Sequence, residues 1–185
     1  MIERMLWRHA TLLVGVSLLL LVAIYIIVGG IYRPQNLDDG WTLSALYEYH
    51  LHGVAQDKIF GATLGSQGQD GVYHFAKIQA FIYGMFLDVL GWTRSAGHAV
   101  STLFVGLSAL TWGFIAKRLT GRSGLAFATV LLLMFSEPLF GPAHQSRPEA
   151  LTFFMASAAL AMYLVDRPLL SGLLIGLAFE VHPAG

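Results

Sequence analysis

The chain has 185 residues, 56% of them hydrophobic and only 12% charged, with a mean hydropathy of +0.64. Soluble domains carry about 25% charged residues, so this chain lacks the polar surface to cover a water-soluble fold and reads as a polytopic membrane protein. A formal net charge of zero excludes an electrostatic footprint for nucleic acid, and the absence of cysteine excludes disulfides and thiolate metal sites.

The first nine residues are short and basic, with Arg4 and Arg8 against Glu3. Residues 10–31 follow as a run of 22 without a charge. A helix of that length is about 33 Å long, enough to cross a hydrocarbon core. The run exceeds a signal-peptide core and no small-x-small cleavage site follows, so it reads as an uncleaved signal anchor with its N-terminus in the cytoplasm.

Residues 32–74 read as a polar, glycine-rich external loop holding Asp38, Asp39, Glu48, Asp57 and Asp70. Its stretch Asn36-Leu37-Asp38-Asp39-Gly40-Trp41-Thr42 sets two adjacent carboxylates a few residues past the anchor, with Arg33 the near cation. Asp-Asp-Gly by itself is a turn and cap signal, so a short helix is expected over 42–52, after the turn. Residues 61–71 hold four glycines and are expected to be irregular. Residues 76–90 are apolar but short for a span. On a helix Lys77 and Asp88 fall within about 20° of each other, with Gly84 on the same face. Such a narrow polar stripe suits an amphipathic helix at the membrane interface or against the bundle.

Residues 98–116, 123–141, 149–165 and 168–183 read as the remaining spans. Tight turns are expected at Lys117-Arg118-Leu119-Thr120-Gly121-Arg122 and at Asp166-Arg167. Topology follows from charge. If 76–90 does not cross, the cytoplasmic side holds Arg4, Arg8, Lys117, Arg118, Arg122 and Arg167, six of the eleven basic residues. If it crosses, Lys117, Arg118 and Arg122 move outside, against the positive-inside rule. The expected fold is therefore all-α: five spans forming a transmembrane helical bundle, with an external first loop carrying short juxtamembrane helices, all in one module over 1–185.

That topology gathers ionisable residues on one membrane face. Asp38 and Asp39 stand above the first span, and Arg94 and His98 open the second. Glu137 lies near the outer end of the third span, and His144, Arg147 and Glu149 lie in the loop after it. Glu180 and His182 end the fifth. Ionisable groups at a bilayer are costly and usually line a polar cavity or pair with one another. Taken singly they have plainer readings: Arg147-Pro148-Glu149 is also a helix start with proline in the first turn. A cavity of this kind suits transfer from a lipid phosphate. Asp38 or Asp39 is the candidate base. Arg147, with Arg94 and Lys77, is the candidate clamp for a phosphate. Glu149, His144, His182, Glu137 and Glu180 are candidate acceptor or cavity residues.

The order of these features resembles a family. It runs from a signal anchor to an acidic pair in the first external loop, then to a helix with Ala45 and Tyr47 ending in Gly53. A juxtamembrane helix, Arg94 with a span and the basic Lys-Arg-Leu-Thr-Gly-Arg turn come next. Another span leads to Ser146-Arg147-Pro148-Glu149-Ala150-Leu151. This is similar to the N-terminal part of GT-C glycosyltransferases, in the branch of bacterial relatives of protein O-mannosyltransferases and RgtA/B/C/D-like transferases. The resemblance implies a polyprenyl-phosphate-linked sugar as donor and a lipid, glycan or protein as acceptor. It implies a multi-pass protein of the bacterial inner membrane with its active face extracytoplasmic. No cofactor is implied, with a divalent metal between Asp38 and Glu149 as the alternative. The family's acidic pair is usually Asp-Glu with the first residue the proposed base; here it is Asp38-Asp39, and either can act. The family's Pro-Pro before the juxtamembrane helix is replaced by Gly71-Val72-Tyr73-His74-Phe75. Such enzymes run to several hundred residues, so this sequence is expected to be a portion of a longer enzyme. Other classes to weigh are a transporter or channel module and a non-catalytic membrane assembly subunit. The lack of mid-span charge in 10–31, 98–116 and 149–165 disfavours the transporter.

Overall fold

In the computed structural model the described residues are 37–53, 77–136, 141, 143 and 145–181, with 20, 23 and 24, and side chains in the first segment are described from residue 42. They form helices and connecting turns, with no strand among the described residues. The helices are α1 Leu37–His52, α2 Lys77–Leu90, α3 Arg94–Thr120, α4 Ser123–Met134, α5 Pro148–Leu164 and α6 Pro168–Val181. The centre is α3, which packs against α4 and α5 along its length and touches α1 and α2. Helix α5 lies between α3 and α6, and α2 bridges from α1 to α3 and α6.

Helix α3 can hold the centre because its buried side is built from small residues: Ala96, Gly97, Ser101, Gly106, Ser108, Ala109 and Gly113, with Val100, Phe104, Val105 and Ile115 filling the gaps. Its mid-helix hydroxyls satisfy themselves. Ser108 donates to the Phe104 carbonyl at 2.8 Å and Thr111 to that of Leu107 at 2.8 Å. Ser157 on α5 does the same toward Phe153 at 2.7 Å. Bonding back to the preceding turn lets a hydroxyl sit among apolar neighbours without an external partner. Thr93 caps the start of α3, its hydroxyl accepting from the Ala96 N–H at 3.2 Å. Gly121 closes the end at φ 71°, a left-handed conformation that costs a residue with a β-carbon more, and its N–H reaches the Lys117 carbonyl at 2.8 Å.

Several expected boundaries differ. Helix α1 begins at Leu37, so Asp38-Asp39-Gly40 is the first turn of the helix and not a turn before it. Carboxylates are favoured in a first helical turn, where they meet the positive end of the helix dipole. Helix α3 runs from 94 to 120 and not 98–116, so the expected Lys117–Thr120 turn is its last helical turn and only Gly121 and Arg122 connect it to α4. In the expected span 123–141 the helix α4 ends at Met134, residues 137–140 lie outside the described residues and position 141 is helical; Phe135 caps α4, and the Ser136 hydroxyl bonds the Leu133 carbonyl at 2.9 Å. Glu137 precedes Pro138 in the sequence, and a residue before proline disfavours helical geometry. The expected span 10–31 and the glycine-rich stretch 61–71 lie outside the described residues, apart from helical positions 20, 23 and 24.

Among the described residues one helix, Arg94–Thr120, is long and apolar enough to cross a membrane, where the expectation was four such spans in this region. Helices α4, α5 and α6 are apolar but have 12, 17 and 14 residues. As helices they reach about 18, 26 and 21 Å, short of the roughly 30 Å hydrocarbon core. Their outward faces are nevertheless apolar: Leu132 is 74% exposed, Leu169 90% and Leu173 59%.

Candidate functional site

Two chain segments far apart in sequence meet where α3 and α5 begin. At Gly97, in the first turn of α3, an added β-carbon would collide with the Ser146 hydroxyl and lie 3.1 Å from Leu43 Cδ2 of α1. Glycine is therefore what permits α1, the start of α3 and the strand of chain entering α5 to touch at one point. Helices α3 and α5 consequently begin side by side. Each starts with an arginine, Arg94 at the first position of α3 and Arg147 at the N-cap of α5. The positive end of each helix dipole lies there too, a setting that favours anions.

The chain enters α5 through a fixed geometry. Pro148 restricts Arg147 to extended backbone, observed at φ −93° and ψ 153°, and occupies the first helical turn where no N–H is needed. Glu149 follows in that turn, and its carboxylate pairs with the Arg147 guanidinium. Both side chains are partly exposed, at 40% and 31%. The Glu149 Oε2 atom is buried and has no hydrogen-bond partner among the described residues.

Behind this loop lies a layer of buried polar side chains: Gln79, His98, Ser101, Thr102 and Ser146. The Thr102 hydroxyl shares its proton between the His98 carbonyl at 2.8 Å and the Ala143 carbonyl at 2.6 Å. The Gln79 amide donates to the Ser146 carbonyl at 3.3 Å. The Tyr83 hydroxyl donates to the Arg147 carbonyl at 3.4 Å and lies 2.9 Å from Ser101 Oγ. A carbonyl can only accept, so the tyrosine proton points to Arg147 and Ser101 supplies the proton of the second bond. Complete burial raises the Tyr83 pKa above the ordinary phenol value, more than its bonds to Ser101 and Gln79 lower it. The hydroxyl therefore stays protonated and able to donate.

The expected site residues divide. Arg147 and Glu149 are brought together, as an ion pair. Arg94 is half-buried at the adjoining helix start. The backbone of Asp38 and Asp39 lies in the first turn of α1, four to five residues before Leu43, which is about 6–8 Å along the helix from the Gly97 contact. Lys77 is exposed at the start of α2 and forms no ion pair among the described residues, so no contact draws it to Arg147. Glu180 is exposed near the end of α6. Glu137, His144 and His182 lie outside the described residues. Among the described residues no three of His, Asp and Glu gather in a way that could hold a metal ion.

The Gly84–Asp88 part of the expected polar stripe faces α1. Asp88 meets His50 Nε2 at 3.2 Å and accepts from the Trp92 indole at 3.0 Å, while Tyr47 packs edge-on against Trp92 at 5.1 Å. The polar side chains that face the α5 loop are instead Gln79 and Tyr83. The signal for them was present: two hydrogen-bonding residues at i and i+4 in an apolar helix share one face.

Residues 81–184, more than half of the chain, match the family model of glycosyltransferase family 87. The chain belongs to that family, and its chemistry is the transfer of a sugar from a donor to an acceptor. The matched region contains Tyr83, Arg94, Arg147 and Glu149, and it begins after Asp38, Asp39, Lys77 and Gln79. No curated protein and no solved structure matches the chain.

Proposed function

We propose that the protein is a multi-pass membrane glycosyltransferase of GT-C type. It moves a sugar from a polyprenyl-phosphate donor to a lipid, glycan or protein acceptor on the extracytoplasmic face of the bacterial inner membrane. The observation that carries this reading is the pairing of two helix N-termini, each opening on an arginine, within the region matched by a glycosyltransferase family. A lipid phosphate supplies the charge such a junction favours, and a guanidinium has donors enough for both Glu149 and a phosphate oxygen. The apolar outward faces of α4 and α6 suit hydrocarbon as their surroundings.

In the proposed mechanism Asp38 or Asp39 takes the proton of the acceptor hydroxyl as its oxygen attacks the anomeric carbon. The bond from that carbon to the phosphate oxygen breaks, and Arg147, with Arg94, offsets the charge left on the polyprenyl phosphate. Glu149 holds the Arg147 head in place. Lys77 is retained as a donor-side cation only. Glu180, Glu137, His144 and His182 are candidates for the acceptor side, and a divalent metal between Asp38 and Glu149 is the alternative means of charge compensation. Replacing Asp38 and Asp39 separately with Asn in the full chain and measuring sugar transfer tests the base. A general base contributes about 10²–10⁴-fold, so one of the two variants should lose activity on that scale. Wild-type rates in both would remove the acidic pair from the mechanism.

A further inference from the structure

We infer that Gln79 and Tyr83 are positioning residues that set the pose of Arg147. Neither side chain is exposed, and both lie on one face of α2, one turn apart. They reach two consecutive carbonyls of the loop entering α5, Ser146 by way of Gln79 and Arg147 by way of Tyr83. Those carbonyls precede the first turn of α5, where the N-cap Arg147 makes no side-chain cap bond. Pro148 limits the backbone of Arg147 to extended geometry but does not fix where that backbone sits. The two bonds from α2 do so from one side, and the wedge of Ser146 against Gly97 does so from the other. The guanidinium is then steered at its far end by Glu149. The Arg147 side chain is thus held at root and tip, and the root is held by α2.

The amide orientation of Gln79 follows from chemistry, because only its nitrogen can donate to the Ser146 carbonyl. The proton of Tyr83 is committed in the same manner, and a buried phenol does not surrender it. Both bonds are long, at 3.3 and 3.4 Å, so their contribution is to geometry more than to strength. Displacing a positioned cation by a fraction of an ångström is enough to weaken a charge-assisted bond to phosphate.

This inference rests on the reading of Arg147 as the phosphate-holding residue, and the test separates the two. Binding of undecaprenyl phosphate to the full chain in lipid nanodiscs is measured for the wild type, Arg147→Ala, Tyr83→Phe, Gln79→Met, and each α2 variant combined with Arg147→Ala. Tyr83→Phe removes one oxygen, and Gln79→Met keeps the side-chain length without the donor. Arg147→Ala should weaken binding about tenfold or more, and each α2 variant about three- to tenfold. In the Arg147→Ala background the α2 substitutions should change nothing further, a coupling that a merely structural role would not produce. If Arg147→Ala binds like wild type, the phosphate-holding reading falls and the positioning role falls with it. If Arg147→Ala weakens binding while the α2 variants do not, or while their effects add fully to it, the positioning role alone is overturned. Should Tyr83→Phe fail to fold, Gln79→Met carries the same comparison.

Discussion

The junction at the start of α3 and α5 and the outward faces of α4 and α6 are opposites. The junction encloses Gln79, His98, Ser101, Thr102 and Ser146, and gives most of them hydrogen bonds over distances of tens of residues. The outer helices turn Leu132, Leu169, Leu173 and Phe179 away from the protein. Polar side chains are mostly exposed in proteins, and those that are buried are held by hydrogen bonds. The contrast separates two ways in which the fold uses its surfaces. Polar groups are buried where they hold a charged loop in one geometry, and the surfaces that need no such precision are left to apolar contact.

Three substitutions act on this contrast. The largest effect is expected for Leu173→Arg, in the middle of α6. On the membrane reading it costs about 3 kcal/mol of insertion free energy, measured as the inserted fraction in a microsomal assay. A change within about 0.5 kcal/mol would mean that this face meets water and would dissolve the contrast. Next comes Gly97→Ala. Its added methyl meets the Ser146 hydroxyl and Leu43, so the fold should lose about 1–3 kcal/mol, read as a lowered thermal midpoint. An unchanged midpoint would show that the helix starts are not held in contact there. The smallest effect belongs to Asp88→Asn. The His50–Asp88 pair is polar like the junction but partly exposed, at 36% and 47%. Pairs of that kind contribute about 0–1 kcal/mol, so denaturation should scarcely move. A loss comparable to that of Gly97→Ala would extend the tightly held region to the α1–α2 contact.

Individual residues show how far sequence reasoning reaches. The α2 helix was expected over 76–90 and spans Lys77–Leu90, because its apolar run is bounded by Lys77 and by Gly91. The helix start at Arg147-Pro148-Glu149 was readable, since the restriction before proline and the preference for an acid in the first turn are local. The start of α1 was not, because Asp-Asp-Gly is compatible with a turn and with a first helical turn. Packing further along, with Leu46 buried against the neighbouring helices, is among the terms that favour the helix. The end of α4 falls short of the expected 141: apolar residues continue past Met134, and only Ser136 and Pro138 mark the stop. The role of Gln79 and Tyr83 is not legible locally, because an i, i+4 pair names a face and not what that face meets. The carbonyls they reach are 67 and 64 residues away in the chain.

The sequence by itself determined the helical content, the caps at Thr93 and Gly121, the first-turn proline Pro148, and the chemical inventory of acids and arginines. These follow from interactions within a turn or two of each residue. Only the tertiary structure decided that α3 and α5 begin side by side, that Arg147 closes on Glu149, and that α2 holds the loop between them. Those outcomes depend on how small residues such as Gly97 let distant segments approach, a sum of contacts that no local pattern records.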